Sequence, residues 1–118
     1  MHEIAVLPDA TARSAADVLS LLADESRLKI LWVLGQGEVS VGALAELVGS
    51  KPSAVSQHLA KLRLAGMVEV RREGTFAFYR ACDDHIERIV ADLVAHTSEE
   101  LAAAEARAPG AGESRAVG

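Results

Sequence analysis

The stretch SVGALAELVGSKPSAVSQHLAKLRL, residues 40–64, decides the fold of this 118-residue chain. Ser40 is a helix-capping residue, Leu44, Ala45 and Leu47 follow at helical spacing, and Gly49 supplies a stop. Ser50 or Pro52 then opens a second helix, whose apolar positions Ala54, Val55, Leu59, Leu62 and Leu64 form the expected buried stripe. That leaves Ser53, Ser56, Gln57, His58, Lys61 and Arg63 polar and mainly exposed. Two short helices separated by a glycine turn, the second rich in hydrogen-bonding and basic side chains, are the sequence form of a helix-turn-helix.

The flanking segments complete a winged version of that motif. Gly66 ends the reading helix, and Met67–Arg71 and Thr75–Arg80 read as two strands joined by Arg72, Glu73 and Gly74. The arginines of this hairpin, Arg71 and Arg72, can reach phosphates or a minor groove. Upstream, Ala15, Val18, Leu19 and Leu22 recur with helical period, which predicts a helix from Thr11 to about Ala23. Asp24 or Ser26 caps the next one, which carries Leu28, Ile30, Leu31 and Leu34 and stops at Gly35-Gln36-Gly37. Beyond the hairpin, Asp84 with Glu87 makes a capping box for a last helix running to about Arg107, and Asp83, taken alone, also reads as a helix cap. The predicted architecture is mainly α with a small β-hairpin: a flexible arm at residues 1–10, a winged helix-turn-helix domain at 11–107 and a disordered tail at 108–118.

Composition narrows the function. Half the residues are hydrophobic but only four are aromatic, so a single chain buries a modest core that a dimer interface would extend. The longest apolar runs are too short to span a bilayer, and Met1-His2-Glu3 lacks the basic start of a secretory signal, so the cytoplasm is the expected location. The net charge of −5 is unevenly spread. Between Lys51 and Arg80 six basic side chains face two acids, a local balance of +4 that leaves −9 for the rest. A basic block in an acidic chain suits a short module that neutralises DNA phosphates. The lone cysteine, Cys82, excludes an internal disulfide and any thiolate cluster within one chain.

The last helix adds a second chemistry. Asp83, His85, His96 and Glu99 form the pattern Asp-x-His-x10-His-x2-Glu, and all four are metal-ligand types. His85 and His96 are eleven residues apart. Eleven steps of about 100° return to within roughly 20° of the same direction while climbing about 16 Å, whereas ligands of one ion lie about 2 Å from it. One straight helix cannot close such a site. Antiparallel pairing of the helix with its own copy would bring Asp83 and His85 of one chain opposite His96 and Glu99 of the other, giving two equivalent sites per dimer. Two imidazoles and two carboxylates suit zinc first, with nickel or cobalt close behind, and His2 on the arm is a possible extra ligand for a six-coordinate ion. No His-Glu-x-x-His or comparable catalytic motif is present, so the chain does not read as an enzyme.

The order of helices and wing, with LADESRLKIL at residues 22–31 and SAVSQHLAKL at 53–62, closely resembles the ArsR/SmtB family of metal-sensing repressors. The resemblance covers about residues 15–100. It implies a homodimer joined through the first and last helices that binds operator DNA without metal and releases it when metal binds. Ser53, Ser56, Gln57 and His58 would then approach base edges, and Lys61, Arg63, Arg71 and Arg72 phosphates. The resemblance also separates site types. Where thiolate-type members carry Cys-x-Cys, this chain has Ser40-Val41-Gly42, while Asp83, His85, His96 and Glu99 match the type built on the last helix. In such relatives the ligand corresponding to His96 also hydrogen-bonds toward the reading helix, here near Gln57. The alternative is the same DNA-binding dimer answering another signal, such as Cys82 oxidation or a protein partner, or acting as an activator.

Overall fold

The computed structural model describes residues 3–108, and within them five helices and three strands follow one another in the order α1 (Asp9–Leu22), α2 (Glu25–Leu34), β1 (Val39–Ser40), α3 (Val41–Val48), α4 (Pro52–Leu64), β2 (Val68–Glu73), β3 (Phe76–Ala81) and α5 (Asp84–Arg107). His2 and the tail residues 109–118 lie outside the described residues.

Local chemistry sets most of these boundaries. The Asp24 carboxylate accepts the Arg27 N–H at 2.9 Å and starts α2. Ser40 Oγ accepts the Ala43 N–H at 3.3 Å and starts α3. Gly49 ends α3 at φ 69°, a left-handed conformation that a side chain would penalise. Between α1 and α2, Arg27 Nε donates to the Leu21 carbonyl at 2.8 Å, fixing the corner between the two helices.

The main departures from the sequence expectation are four. The first helix starts at Asp9, two residues earlier than predicted, after Pro8. The last helix is capped by Asp83, whose Oδ1 accepts the Ile86 N–H at 3.0 Å, so the predicted Asp84–Glu87 box is displaced by one residue. The hairpin turn is Gly74-Thr75, since Glu73 pairs with Phe76. Gly74 at φ 61° followed by a residue of negative φ has the sign pattern of a type II′ turn, whose twist matches the strands. Finally, the hairpin gains β1, which pairs antiparallel with β3 through Val39–Tyr79 and Ser40–Phe78 in a sheet ordered β1-β3-β2. Two residues are too few to show a period, so this strand left no signal.

The core lies where α2, α3, α4 and the base of the sheet converge on Ile30, Leu31, Leu34, Leu44, Val55, Leu59, Leu62 and Met67, closed from one side by Val90 of α5. Leu64, expected inside, is 91% exposed, because it lies nearly half a turn of the helix away from Leu62. The Cα radius of gyration is 18.0 Å, against about 13 Å for a compact chain of this size. Helices α1 and α5 contribute least to the core. Of their apolar residues only Leu22 and Val90 are buried, while Leu19, Ile89, Leu93 and Leu101 remain largely exposed. No helix among the described residues is long and apolar enough to cross a membrane.

Candidate functional site

On α4, Val55, Leu59 and Leu62 are fully buried and thereby fix the rotation of the helix about its axis. Ser53, Ser56, Gln57 and Lys61 recur at three- and four-residue intervals, so they share the opposite face, and all four are exposed. Ala60 and Leu64 lie on that face too. His58 falls between the two faces and is half-buried, turned toward the start of α2. There it adds to the forces that hold the Asp24 carboxyl below its ordinary range, the largest being the Arg27 N–H bond. Arg63 sits at the edge of the exposed face on the side of the wing.

Strand alternation sorts the basic residues of the wing. Glu69, Arg71 and Glu73 pair with Arg80, Phe78 and Phe76 on the outer face of the sheet, whereas Val70 and Arg72 pair with Tyr79 and Ala77 on the face toward the helices. Arg71 is engaged three ways. Its Nε and Nη2 donate to Glu38 Oε1 at 3.0 and 2.6 Å, its Nη1 to Glu73 Oε2 at 2.6 Å, and its guanidinium lies 4.9 Å from the Phe78 ring centre. The hydrogen bond from Arg71 holds the Glu38 carboxyl below its ordinary range. Arg80 is likewise tied to Glu69 through Nε and Nη2 at 3.0 and 2.8 Å. The +4 block read from the sequence is therefore partly neutralised inside the protein. Lys51, Lys61, Arg63 and Arg72 make no ion pair among the described residues and carry the positive charge of this surface. The role of Glu38 was not foreseen, although the opposite orientation of Arg71 and Arg72 was readable from strand period alone.

The second surface is the solvent side of α5. Asp83, at its cap, accepts from Ile86 N–H through Oδ1 and from the Cys82 thiol at 3.6 Å through Oδ2. The Ile86 bond is the main reason its carboxyl is held below the ordinary range, so it is ionised at neutral pH. His85 Nδ1 lies 4.0 Å from Asp83 Oδ1, and its side chain is 82% exposed. Three turns further on, His96 and Glu99 point to solvent on the same side of the helix. Among the described residues no three His, Cys, Asp or Glu side chains converge on one point, so the structure brings Asp83 and His85 together but not with His96 and Glu99. This is the separation expected from helix rise. No hydrogen bond joins His96 to Gln57 among the described residues.

Next to the ligand-type residues runs an apolar stripe that nothing among the described residues covers: Ile89 and Leu93 are 42% and 41% exposed, whereas Ile86, Val90 and Val94 on the adjoining stripe pack on the core. At the head of the helix, burial and the neighbouring Asp83 charge push the Cys82 thiol above its ordinary pKa. Little thiolate is then available at neutral pH, which weighs against a redox-sensing role for this residue.

Residues 22–71 match a family described as a helix-turn-helix domain. The chain is 47% identical over 88 residues to the HTH-type transcriptional regulator KmtR of Mycobacterium tuberculosis, covering 75% of this chain and 68% of that protein. It is 33% identical over 85 residues to a cadmium resistance transcriptional regulatory protein CadC homolog of Staphylococcus aureus, covering 71% of this chain and 70% of that one. Among solved structures, a homodimeric winged helix-turn-helix DNA-binding domain from Mycobacterium bovis, described as a possible ArsR-family transcriptional regulator, superposes with a TM-score of 0.71 at 36% identity, over 83% of this chain and 94% of that one.

Proposed function

The chain belongs to the ArsR/SmtB family of winged helix-turn-helix transcriptional regulators, and from that premise we propose that it is a metal-responsive repressor. It binds operator DNA as a homodimer and lets go when a divalent cation fills two sites shared between the subunits. The observation that carries this reading is the arrangement of α5, where four ligand-type side chains lie beside an uncovered apolar stripe, in two pairs too far apart for one chain to unite.

The stripe supplies the reason to dimerise. Burying Ile89 and Leu93 of α5 and Leu19 of α1 against a second copy removes large apolar side chains from water. The homodimeric assembly of the M. bovis relative is consistent with that use. The ligand pairs then complete each other across the two-fold axis. Asp83 is already anchored by the Ile86 N–H and holds its charge at neutral pH. A bound cation supplies a fixed double charge that holds two helices in one relative placement. Zinc suits this N2O2 donor set best, with nickel or cobalt next, and His2 remains a further donor for a six-coordinate ion. In the metal-free dimer the two α4 faces enter successive major grooves. Ser53, Ser56 and Gln57 meet base edges, with His58 at their border, and Lys61, Arg63 and Arg72 meet phosphates.

Cobalt(II) titration of the full-length protein tests the site. One cobalt per chain, accompanied by loss of a bound duplex, is the expected result, with intense tetrahedral visible absorbance where the four side chains alone hold the ion; the absence of stoichiometric binding, or binding without release, contradicts the proposal. The wing gives a second expectation. Arg72→Ala lowers affinity for all duplexes and reduces the slope of log affinity against log salt by about 0.9. Arg71→Ala changes that slope less, since Glu38 and Glu73 already neutralise it. An equal slope change in both variants would return Arg71 to the phosphate-contacting set.

A further inference from the structure

The angle between α4 and the wing holds a notch of about 530 Å³ lined by Ala60, Arg63, Leu64 and Tyr79. Its chemistry is mixed: one cation, one phenol and small or apolar walls. Arg63 makes no ion pair and Tyr79 no hydrogen bond among the described residues, whereas the two arginines on the outer face of the wing are both neutralised. Tyr79 is held firmly. It lies on the central strand β3, between Val39 of β1 and Val70 of β2, and its ring packs against the core. Strand alternation also puts Arg72 on this same face of the sheet, further out along the wing.

What belongs in the notch follows from the shape of duplex DNA. A helix seated in the major groove and a hairpin reaching the adjoining minor groove are separated by one sugar-phosphate strand. The notch lies between those two readers. We propose that Tyr79 and Arg63 form a clamp for a single backbone phosphate of the operator, the phenol donating one hydrogen bond and the guanidinium another. This inference rests on the operator-binding reading given above and adds Tyr79 to it. Such a contact fixes the angle at which α4 enters the groove but carries no base information, so its loss weakens all sequences alike. The walls fit the role as well. Ala60 leaves room for the strand to approach.

The test uses the full chain and a duplex selected by the wild-type protein from a randomised pool. Tyr79→Phe, which keeps the ring in the core, lowers affinity about tenfold, the loss typical of a hydrogen bond to a charged group, and leaves the salt slope unchanged. Arg63→Ala lowers affinity by a similar factor and reduces the slope by about 0.9. The double variant loses less than the product of the two, because both act on one phosphate. In phosphate-ethylation interference, one position that blocks the wild type ceases to matter for both variants. Wild-type affinity in Tyr79→Phe, or an interference pattern that still includes every wild-type position, overturns the clamp while leaving operator binding intact. Selection that enriches no duplex overturns operator binding itself, and the clamp with it.

Discussion

Replacing His96 with alanine leaves operator affinity at the wild-type level and abolishes its loss on adding zinc. His96 is exposed, its side chain makes no hydrogen bond among the described residues, and it lies on α5, which packs on α2 and β3. A substitution at such a surface position changes stability by no more than about 0.5 kcal/mol. The apo protein therefore folds, dimerises and binds as before. The metal response is another matter, because removing one of two imidazoles from an N2O2 set leaves each site with three donors, two of them carboxylates. In the proposed switch the wild type would lose operator affinity by roughly 5- to 150-fold, the range of a typical allosteric coupling of about 1 to 3 kcal/mol. In the variant, fluorescence anisotropy of a labelled duplex records no shift across the zinc titration. A full response in His96→Ala would remove this residue from the switch.

Leu93→Glu has an effect of the opposite kind. In one chain Leu93 is 41% exposed, so glutamate there is solvated and the monomer keeps its fold. In a dimer sealed by the Ile89–Leu93 stripe, two carboxylates meet across the axis without partners, a penalty of about 3 to 5 kcal/mol. That corresponds to a loss of more than about a hundredfold in dimer stability, since each 1.4 kcal/mol is tenfold. Sedimentation at micromolar concentration gives a monomer. Operator affinity falls by a similar factor, because one α4 can engage only one half-site. Cobalt absorbance disappears as well, which His96→Ala and Leu93→Glu reach by different routes: one removes a donor, the other removes the partner. A dimer that survives Leu93→Glu with its cobalt sites intact would place the interface elsewhere.

How much of this was legible in the sequence depended on whether the signal was local. The caps at Asp24 and Ser40, the stop at Gly49 and the buried Val55, Leu59 and Leu62 were all readable, since each rests on chemistry within three or four residues. For α5 the sequence offered a cap at Asp83 and a capping box at Asp84, two chemically identical residues, and only the backbone decides for Asp83. Strand β1 was invisible because its partner lies forty residues away, at Tyr79. Counting charges found a basic block but not which of its side chains stay unpaired. It could not show that Glu38, outside the counted block, would neutralise Arg71. Of the candidate metal site, the sequence supplied the residue types and their spacing along α5, and a single chain adds only the cap geometry of Asp83.

That geometry bears on how sensors of this kind diverge. Asp83 does two jobs on the proposed ligand set, and they make different demands: beginning a helix needs only a short side-chain oxygen, which Asn and Ser supply about as well as Asp. Drift to either would erase a charged donor while leaving the scaffold untouched. Lineages can therefore abandon or exchange their inducer through one codon, without passing through an unstable ancestor.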